Sequence, residues 1–314
     1  MFVASAPSRL DFGGGWTDVP PYPEERGGFV CNLAIERRSR VTLRPGLVGT
    51  DPGPLVAAAL RRAGYEAHVT ITSDFPIGAG LGGSSAAGVA LLAAIAYAQE
   101  TTPDPGWLAE WSRVVEVEEM GIAGGRQDHY AAAYGGALGL TFGDAESGTV
   151  RVEQIPLSSS TIVALESRIT LVYTGESRIS GDTITAVLDA YRDRVSRVVS
   201  ALDRMAVLAR GMRSALHACD VSTLGALVNE HWMHQRALHP RITTDRIDAL
   251  EAAARTAGAQ GLKALGASGG GCVMIVSDAS DARRVAAAVA PYGEILPWRV
   301  ATTGVEVSRL SPGA

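Results

Sequence analysis

A glycine-rich segment in the first third of the chain constrains its fold more than any other feature. The segment runs from Pro76 to Gly88 (PIGAGLGGSSAAG), between a strand-like stretch at 67–73 and an apolar stretch at 86–98 that is typical of a buried helix. A glycine-rich turn at a helix start leaves backbone N–H groups without partners, and the helix dipole adds partial positive charge there. The pattern indicates a site for a phosphate-like anion, although the start of an ordinary core helix can have the same pattern.

Composition excludes several classes of protein. The 314 residues are 46% hydrophobic and 19% charged, which suits one large domain or two with a normal core. The formal net charge of −5 argues against a large basic surface for nucleic acid. The three cysteines are far apart, which is typical of buried thiols in a reducing cytoplasm rather than of a zinc site or a disulfide framework.

Targeting signals are not expected. The first residues lack a basic segment followed by a long apolar run, and the apolar stretch at 86–98 is too short to cross a bilayer. The sequence therefore predicts a soluble cytoplasmic protein that binds neither membranes nor nucleic acid.

Predicted strands and helices interleave without a regular β-α-β rhythm, which favours an α+β fold. A shift in composition at 156–161 (PLSSST) predicts a domain boundary, giving domains at 1–156 and 157–314. One long helical stretch is expected at about 182–216, and a closing pair of strands at about 294–308.

Two further glycine-rich segments, at 13–15 and 266–271, lie beside apolar elements and have Asp, Ser or Arg nearby. Each could be an ordinary turn, but three such segments indicate a shared concave site. Together they resemble the three motifs of the GHMP small-molecule kinases, in the order of that family: Pro7–Asp18 (PSRLDFGGGWTD), Pro76–Ala87 and Leu265–Cys272. The resemblance implies a GHMP kinase fold, with an N-terminal ribosomal-protein-S5-like domain and a C-terminal ferredoxin-like domain. It also implies ATP and Mg²⁺ as cofactors.

The resemblance assigns roles to individual residues. Asp128, in the segment GGRQDHY, would be the catalytic carboxylate, although alone it could simply cap the following helix; Arg9 would approach the transferred phosphate. The Mg²⁺ ligands would be Ser84, with Ser85 as the second choice, and Glu116, with Glu118 and Glu119 as rivals. The nucleotide would lie on the second motif, at Pro76, Gly78, Gly80, Leu81, Gly82, Gly83, Ser84 and Ser85.

The first motif resembles that of the sugar-kinase branch of the family, whose members phosphorylate the anomeric C1 hydroxyl. The favoured substrate is D-glycero-D-manno-heptose 7-phosphate, giving the 1,7-bisphosphate for nucleotide-sugar synthesis; an unphosphorylated sugar such as L-fucose is the alternative. Arg178 or Arg236 would receive the 7-phosphate, but Gln235 replaces a lysine that relatives often carry. The expected substrate-binding residues are Gly15, Trp16, Thr17, Asp18, Gly125, Arg178, Gly269 and Gly270.

Two other classes of protein fit the sequence less well than a kinase. A non-catalytic sugar- or nucleotide-binding regulator would lack one or more catalytic residues, whereas Arg9, Asp18 and Asp128 are all present. A dinucleotide-binding oxidoreductase would need an acidic residue on a second strand after the G-x-G-x-x-G at 78–83, and the sequence has none there. The enzyme is expected to be a monomer or a homodimer.

Overall fold

The computed structural model describes residues 1–46, 52–143, 150–176 and 181–310. The N-terminal half contains β1 (Phe2–Gly13), α1 (Tyr22–Arg26), β2 (Gly28–Pro45), α2 (Gly53–Ala63), β3 (Ala67–Ser73), α3 (Gly83–Ala98), α4 (Pro105–Arg113), a π-helical turn (Val114–Glu119), α5 (Gln127–Tyr134), β4 (Ala137–Phe142) and β5 (Arg151–Ile155). The C-terminal half contains α6 (Ser159–Arg168), β6 (Ile169–Tyr173), α7 (Gly181–Arg192), α8 (Ser196–His217), α9 (Val221–Leu238), α10 (Asp245–Thr256), β7 (Ala259–Ala264), β8 (Cys272–Ser277), α11 (Ala282–Val289), β9 (Glu294–Ile295) and β10 (Glu306–Arg309), with 3₁₀ turns at Pro240–Ile242 and Ala290–Tyr292.

Two antiparallel sheets organise these elements. The first has the order β10-β1-β2-β4-β5, with β3 also paired to β2, and the second has the order β7-β8-β6-β9. Strand β10 returns from the C-terminal half to pair with β1, with Phe2 opposite Arg309. This α+β architecture agrees with the fold predicted from the sequence.

Helix α3 is buried on all sides, because residues 85–96 are small or aliphatic apart from Ser85. It packs against β1 and β2, and the apolar side chains around it form one core cluster with those of α2, α4 and α5. Burial of its larger side chains, from Val89, Leu91, Leu92 and Ile95, stabilises the fold by about 1.5–3 kcal/mol each. The packing therefore fixes the start of α3, which is the part of the helix that can bind an anion.

Several predicted elements differ from the structure. The helical stretch at 182–216 is two helices, because Arg194 adopts a left-handed backbone conformation with φ of 56°. The serine-rich stretch at the predicted domain boundary contains the start of α6, since the Ser158 side chain accepts a hydrogen bond from the Thr161 N–H. The expected closing strands do not pair with each other: β9 joins β6 in the second sheet and β10 joins β1 in the first.

The predicted boundary at 156/157 falls between β5 and α6. Because β10 belongs to the first sheet, the division at this point stays a prediction. Within the described ranges, no helix has both the length and the apolar character needed to cross a membrane.

Candidate active site

Two adjoining clefts meet where the first, second and third glycine-rich segments come together. The first cleft, of about 230 Å³, is lined by residues of the first motif and of the segment 116–129, and the second, of about 590 Å³, is lined by residues 75–85 of the second motif. Ser85, Glu116 and Asp128 line both clefts. The larger cleft is called the nucleotide cleft below and the smaller one the substrate cleft.

Asp128 lies in the wall between the two clefts. Its carboxylate accepts two hydrogen bonds from Arg9, with Nε–Oδ1 of 2.7 Å and Nη2–Oδ2 of 3.0 Å. The third nitrogen of Arg9, Nη1, donates to the Gly80 carbonyl at 2.6 Å. A Cβ atom on Gly82 would lie only 3.0 Å from the Asp128 Cγ. The paired side chains of Arg9 and Asp128 therefore pack directly against the glycine-rich turn.

The turn before α3 needs its glycines. Gly78, Gly80 and Gly82 all have positive φ, and a Cβ on Gly80 would lie 2.6 Å from the Leu265 carbonyl oxygen. The Cys272 N–H donates to the Ala79 carbonyl at 2.8 Å, which ties the third motif to the second. All of the predicted nucleotide-binding residues, Pro76, Gly78, Gly80, Leu81, Gly82, Gly83, Ser84 and Ser85, line the nucleotide cleft.

Glu116 contacts Ser85 rather than Ser84. The Ser85 hydroxyl donates to Glu116 Oε2 at 2.9 Å, whereas Ser84 is exposed. His129 Nε2 lies 3.2 Å from the same oxygen, and His129 Nδ1 lies 3.0 Å from the Ser112 hydroxyl. Burial lowers the pKa of His129. A neutral ring with its proton on Nε2 therefore donates to Glu116 and orients the carboxylate.

The donor atoms of Ser85 and Glu116 fit a Mg²⁺ ion. Among the described residues no group of three His, Cys, Asp or Glu side chains is arranged to hold a metal. Mg²⁺ commonly takes only one or two protein oxygens and completes its shell with substrate phosphates and water. A hydroxyl and a carboxylate beside an anion-binding helix start match that pattern. The rival residues lie elsewhere: Glu119 pairs with Arg61 and Arg62, and Glu118 pairs with Arg113.

Asp18 holds the segment that carries Asp128. Its Oδ2 accepts hydrogen bonds from the backbone N–H groups of Arg126, at 2.8 Å, and Gln127, at 3.0 Å. A Cβ atom on Gly125 would lie 2.0 Å from the same oxygen, so only glycine allows this approach. Burial, together with the nearby Asp128 and Asp11, raises the pKa of Asp18 to about 6.

A buried ion pair beneath the substrate cleft was not expected from the sequence. Lys263, on β7, is fully buried and donates to Asp11 Oδ2 on β1 at 2.7 Å. The sequence signals were weak: Asp11 follows Arg9 by two residues and so shares its face of the strand, and Lys263 is a lone charge in an otherwise apolar stretch. The pair joins the two sheets below the cleft.

Only part of the predicted set of substrate-binding residues lines the substrate cleft. Gly15, Trp16, Asp18 and Gly125 line it. Thr17 is buried, and its hydroxyl donates to the Gly14 carbonyl, so it supports the turn of the first motif. Gly269 and Gly270 do not line the substrate cleft: the Gly269 N–H donates to the Ile242 carbonyl, and Gly270 packs on the Glu176 backbone. Arg178 lies outside the described residues.

Arg236, the other predicted phosphate receptor, and Gln235, which replaces the lysine of relatives, both make contacts elsewhere. Arg236 pairs with Asp248 and Glu251 at the surface. Gln235 is buried and donates to the Ala264 carbonyl and the Ser268 hydroxyl. Neither side chain lines the substrate cleft.

The arrangement suits group transfer between two bound molecules. A carboxylate held by an arginine lies between an anion-binding turn and a cleft lined by further carboxylates. Phosphoryl transfer needs this kind of positioning and electrostatic support more than covalent participation by the protein.

Comparison with known proteins assigns the family. The family model for the N-terminal domain of GHMP kinases matches residues 54–136, and the model for the C-terminal domain of GHMP kinases matches residues 212–294. Kinases of this family use ATP as their phosphate donor.

Three relatives illustrate the range of similarity. The chain is 27% identical to a bifunctional fucokinase/GDP-fucose pyrophosphorylase of Arabidopsis thaliana, over 89% of this chain and only 30% of that protein. It is 26% identical to a D-glycero-alpha-D-manno-heptose 7-phosphate kinase of Campylobacter jejuni, over 87% of this chain and 88% of the relative. It is 30% identical to a mevalonate kinase of Pyrococcus horikoshii, over 80% of this chain and 71% of the relative.

A solved structure, described as a D-glycero-D-manno-heptose 1-phosphate kinase from Bacteroides thetaiotaomicron, shares the whole fold. The TM-score is 0.79 at 22% identity, covering 99% of this chain and all of the other. The two matched domain models, the shared fold and the three converging motifs lead to one conclusion: the chain belongs to the GHMP kinases, a family of phosphotransferases.

Proposed function

We propose that the protein transfers the γ-phosphate of ATP to the anomeric hydroxyl of an unphosphorylated sugar. The observation that carries the proposal is the position of Asp128, which Arg9 holds in the wall shared by the two clefts. In this position the carboxylate can orient the acceptor hydroxyl and accept its proton. Arg9 lies beside the same point and supplies positive charge near the transferred phosphoryl group.

The nucleotide cleft supports binding of ATP. Backbone N–H groups at the start of α3, from Gly83 to Ser85, would bind the phosphates beside the turn of positive-φ glycines. Phe75 and Ile77 add apolar surface to the same cleft, which suits the adenine ring. Ser85 and Glu116 would hold Mg²⁺, which neutralises phosphate charge when it is bound.

The charge of the substrate cleft favours a sugar without a phosphate group. Four carboxylates line the cleft, from Asp11, Asp18, Glu116 and Asp128. Among the described lining residues Arg9 is the one lysine or arginine, and each of its three nitrogens donates to Asp128 or to Gly80. Arg9 and Lys263 balance two of the four carboxylates, so the cleft keeps a net negative charge. Carboxylates accept hydrogen bonds from sugar hydroxyls, whereas a net negative charge repels an existing phosphate.

A heptose 7-phosphate is the second candidate substrate. It is supported by the Campylobacter jejuni relative, which matches this chain over nearly its whole length. On this alternative Arg178 would receive the 7-phosphate. A non-catalytic binding protein is the candidate from another class, and it predicts ligand binding without turnover.

A panel of acceptors separates these functions. The purified protein would be incubated with Mg²⁺-ATP and L-fucose, D-galactose, D-mannose, D-glycero-D-manno-heptose 7-phosphate, mevalonate or homoserine, and ADP release would be followed. We expect turnover with a free sugar and a product whose phosphate is on C1, detected by phosphorus NMR. Turnover with the heptose 7-phosphate alone would overturn the free-sugar proposal, and turnover with none would favour a binding protein.

The role proposed for Asp128 has its own test. Asp128→Asn keeps the size of the side chain and can still accept one of the two hydrogen bonds from Arg9, but it removes the basic carboxylate. We expect kcat to fall by about 10²-fold or more while the KM for ATP changes little, and the melting temperature is measured to confirm that the variant is folded. Asp278→Asn, which alters a surface carboxylate paired with Arg168, is the matched control. An Asp128→Asn variant with more than a tenth of wild-type kcat would remove this residue from the mechanism.

A further inference from the structure

Three buried polar atoms around the substrate cleft have no hydrogen-bond partner within the described part of the protein. They are Asp11 Oδ1, Trp16 Nε1 and Gln127 Oε1. All three residues line the cleft, and each is at least nine-tenths buried. Buried polar groups in native proteins nearly always have partners. Several such atoms around one cleft therefore point to a ligand that supplies them.

A contact beneath the cleft holds Asp11 in place. Its other oxygen, Oδ2, accepts from the buried Lys263 ammonium, which fixes the carboxylate. Asp11 follows Arg9 on the same face of β1, at a spacing of roughly 6.6 Å along the strand. Because the proposed reaction point lies beside Arg9 and Asp128, Asp11 would face a part of the sugar away from the phosphorylated carbon.

Trp16 and Gln127 complete the same region. Trp16 has a left-handed backbone conformation, with φ of 81°, which is unusual for a bulky residue. The Thr17 hydroxyl and the Gly14 carbonyl stabilise this turn through a hydrogen bond of 2.7 Å. The backbone N–H of Gln127 donates to Asp18, so the Gln127 side chain lies close to the carboxylates that line the cleft. The turn and the start of α5 thus place an indole N–H and an amide oxygen around the cleft.

We propose that Asp11, Trp16 and Gln127 form a subsite that binds the sugar hydroxyls remote from the phosphorylated carbon. Two acceptors and one donor match hydroxyl groups, each of which both donates and accepts. The atoms are covered in the structure, so binding involves a small side-chain shift. The proposal rests on the proposed function, and it makes these three residues determinants of which sugar hydroxyls must be present.

The test combines side-chain substitutions with sugars that lack one hydroxyl. Binding of L-fucose, D-galactose and their monodeoxy forms would be measured by titration calorimetry on the wild type, Gln127→Leu and Trp16→Phe. We expect each substitution to weaken binding of the parent sugar by about tenfold. The deoxy sugar that lacks the matching hydroxyl should bind the wild type about tenfold more weakly, and it should lose nothing further in the variant.

Asp11→Asn is the companion variant, with folding checked by its melting temperature because the change alters a buried ion pair. Should Asp11→Asn fail to fold, the other two substitutions carry the test. Gln154→Leu and Trp107→Phe make the same substitutions at exposed positions and serve as controls. They should leave the affinity for every sugar unchanged.

The outcomes separate this proposal from the proposed function. Sugar binding with the expected pattern but no turnover would overturn the kinase function and leave the subsite standing. Turnover of a free sugar with affinities unchanged in Gln127→Leu and Trp16→Phe would overturn the subsite alone. An equal loss for the parent and every deoxy form would also overturn it, since it would show a general disturbance rather than hydroxyl recognition. Failure of the wild type to bind any of these sugars would overturn it as well.

Discussion

Single side chains in this site act by holding one another in position. Arg9 orients Asp128, His129 orients Glu116, and Asp18 fixes the backbone in front of Asp128. Such supporting contacts decide whether a carboxylate is available at the point where an acceptor hydroxyl would lie.

Gly125→Ala should weaken sugar binding because the added methyl group would lie 2.0 Å from Asp18 Oδ2. Either Asp18 or the segment at 125–127 must then move. We expect the KM for the sugar to rise by about tenfold or more, with the KM for ATP unchanged, in steady-state assays. Gly124→Ala is the matched control, since its Cβ would have no atom within 4 Å. Equal effects of the two substitutions would contradict this steric account.

Asp18 should give sugar binding a dependence on pH. Its pKa in the folded protein is about 6, raised mainly by burial, so the carboxylate is lost as the pH falls through 6. We expect the KM for the sugar to rise between pH 7 and 5, while the KM for ATP stays level. A sugar KM that is flat across this range would argue against Asp18 as a hydroxyl acceptor.

The raised pKa of Asp18 should make stability depend on pH in the opposite direction to sugar binding. Protons bind the folded state more tightly than the unfolded state, so the contribution of Asp18 to stability falls as the pH rises from about 4 to 6. Chemical denaturation of the wild type and Asp18→Asn over this range checks the direction. The wild type should lose stability relative to the variant as the pH increases.

At the scale of elements, the second and third motifs depend on a close approach of two backbones. Gly80 contacts the Leu265 carbonyl, and Cys272 donates to Ala79. These contacts hold the turn before α3 in the conformation that presents its N–H groups.

Gly80→Ala should therefore disturb nucleotide binding. Its φ is +72°, and an added Cβ would lie 2.6 Å from the Leu265 oxygen. We expect the KM for ATP to rise by about tenfold or more. Gly46→Ala, at a φ of +74° with open space around it, should cost about 1–2 kcal/mol of stability from backbone strain and leave both KM values unchanged. A comparable rise in KM for the control would contradict the proposed contact.

At the scale of the whole molecule, ion pairs of very different burial join the N-terminal half of the chain to the C-terminal half. Lys263–Asp11 is nearly inaccessible, whereas Arg26–Asp203 is about two-fifths exposed on each side. Both pairs link a residue of the N-terminal half to one of the C-terminal half.

Lys263→Met should destabilise the protein by about 3–5 kcal/mol, because it leaves Asp11 buried without its partner charge. Arg26→Met should cost no more than about 1 kcal/mol, since an exposed pair contributes little. Urea denaturation of both variants provides the measurement. Similar losses of stability in the two variants would show that burial does not set the strength of this link.

The sequence by itself determined the family and the positions of its three motifs. Glycine turns, strand alternation and apolar helices depend on residues close together in the chain, so β3 and the turn before α3 were predicted from local patterns. The GHMP kinase fold predicted on that basis is confirmed.

The tertiary structure decided which side chains meet. Ser84 and Ser85 differ by about 100° around the helix axis, so only the packing of α3 shows that Ser85 contacts Glu116. The Asp11–Lys263 contact joins residues 252 positions apart, and β10 pairs with β1 from the other end of the chain. No local pattern encodes such contacts, because they arise when separate apolar faces pack together and bring distant polar side chains into the same buried space.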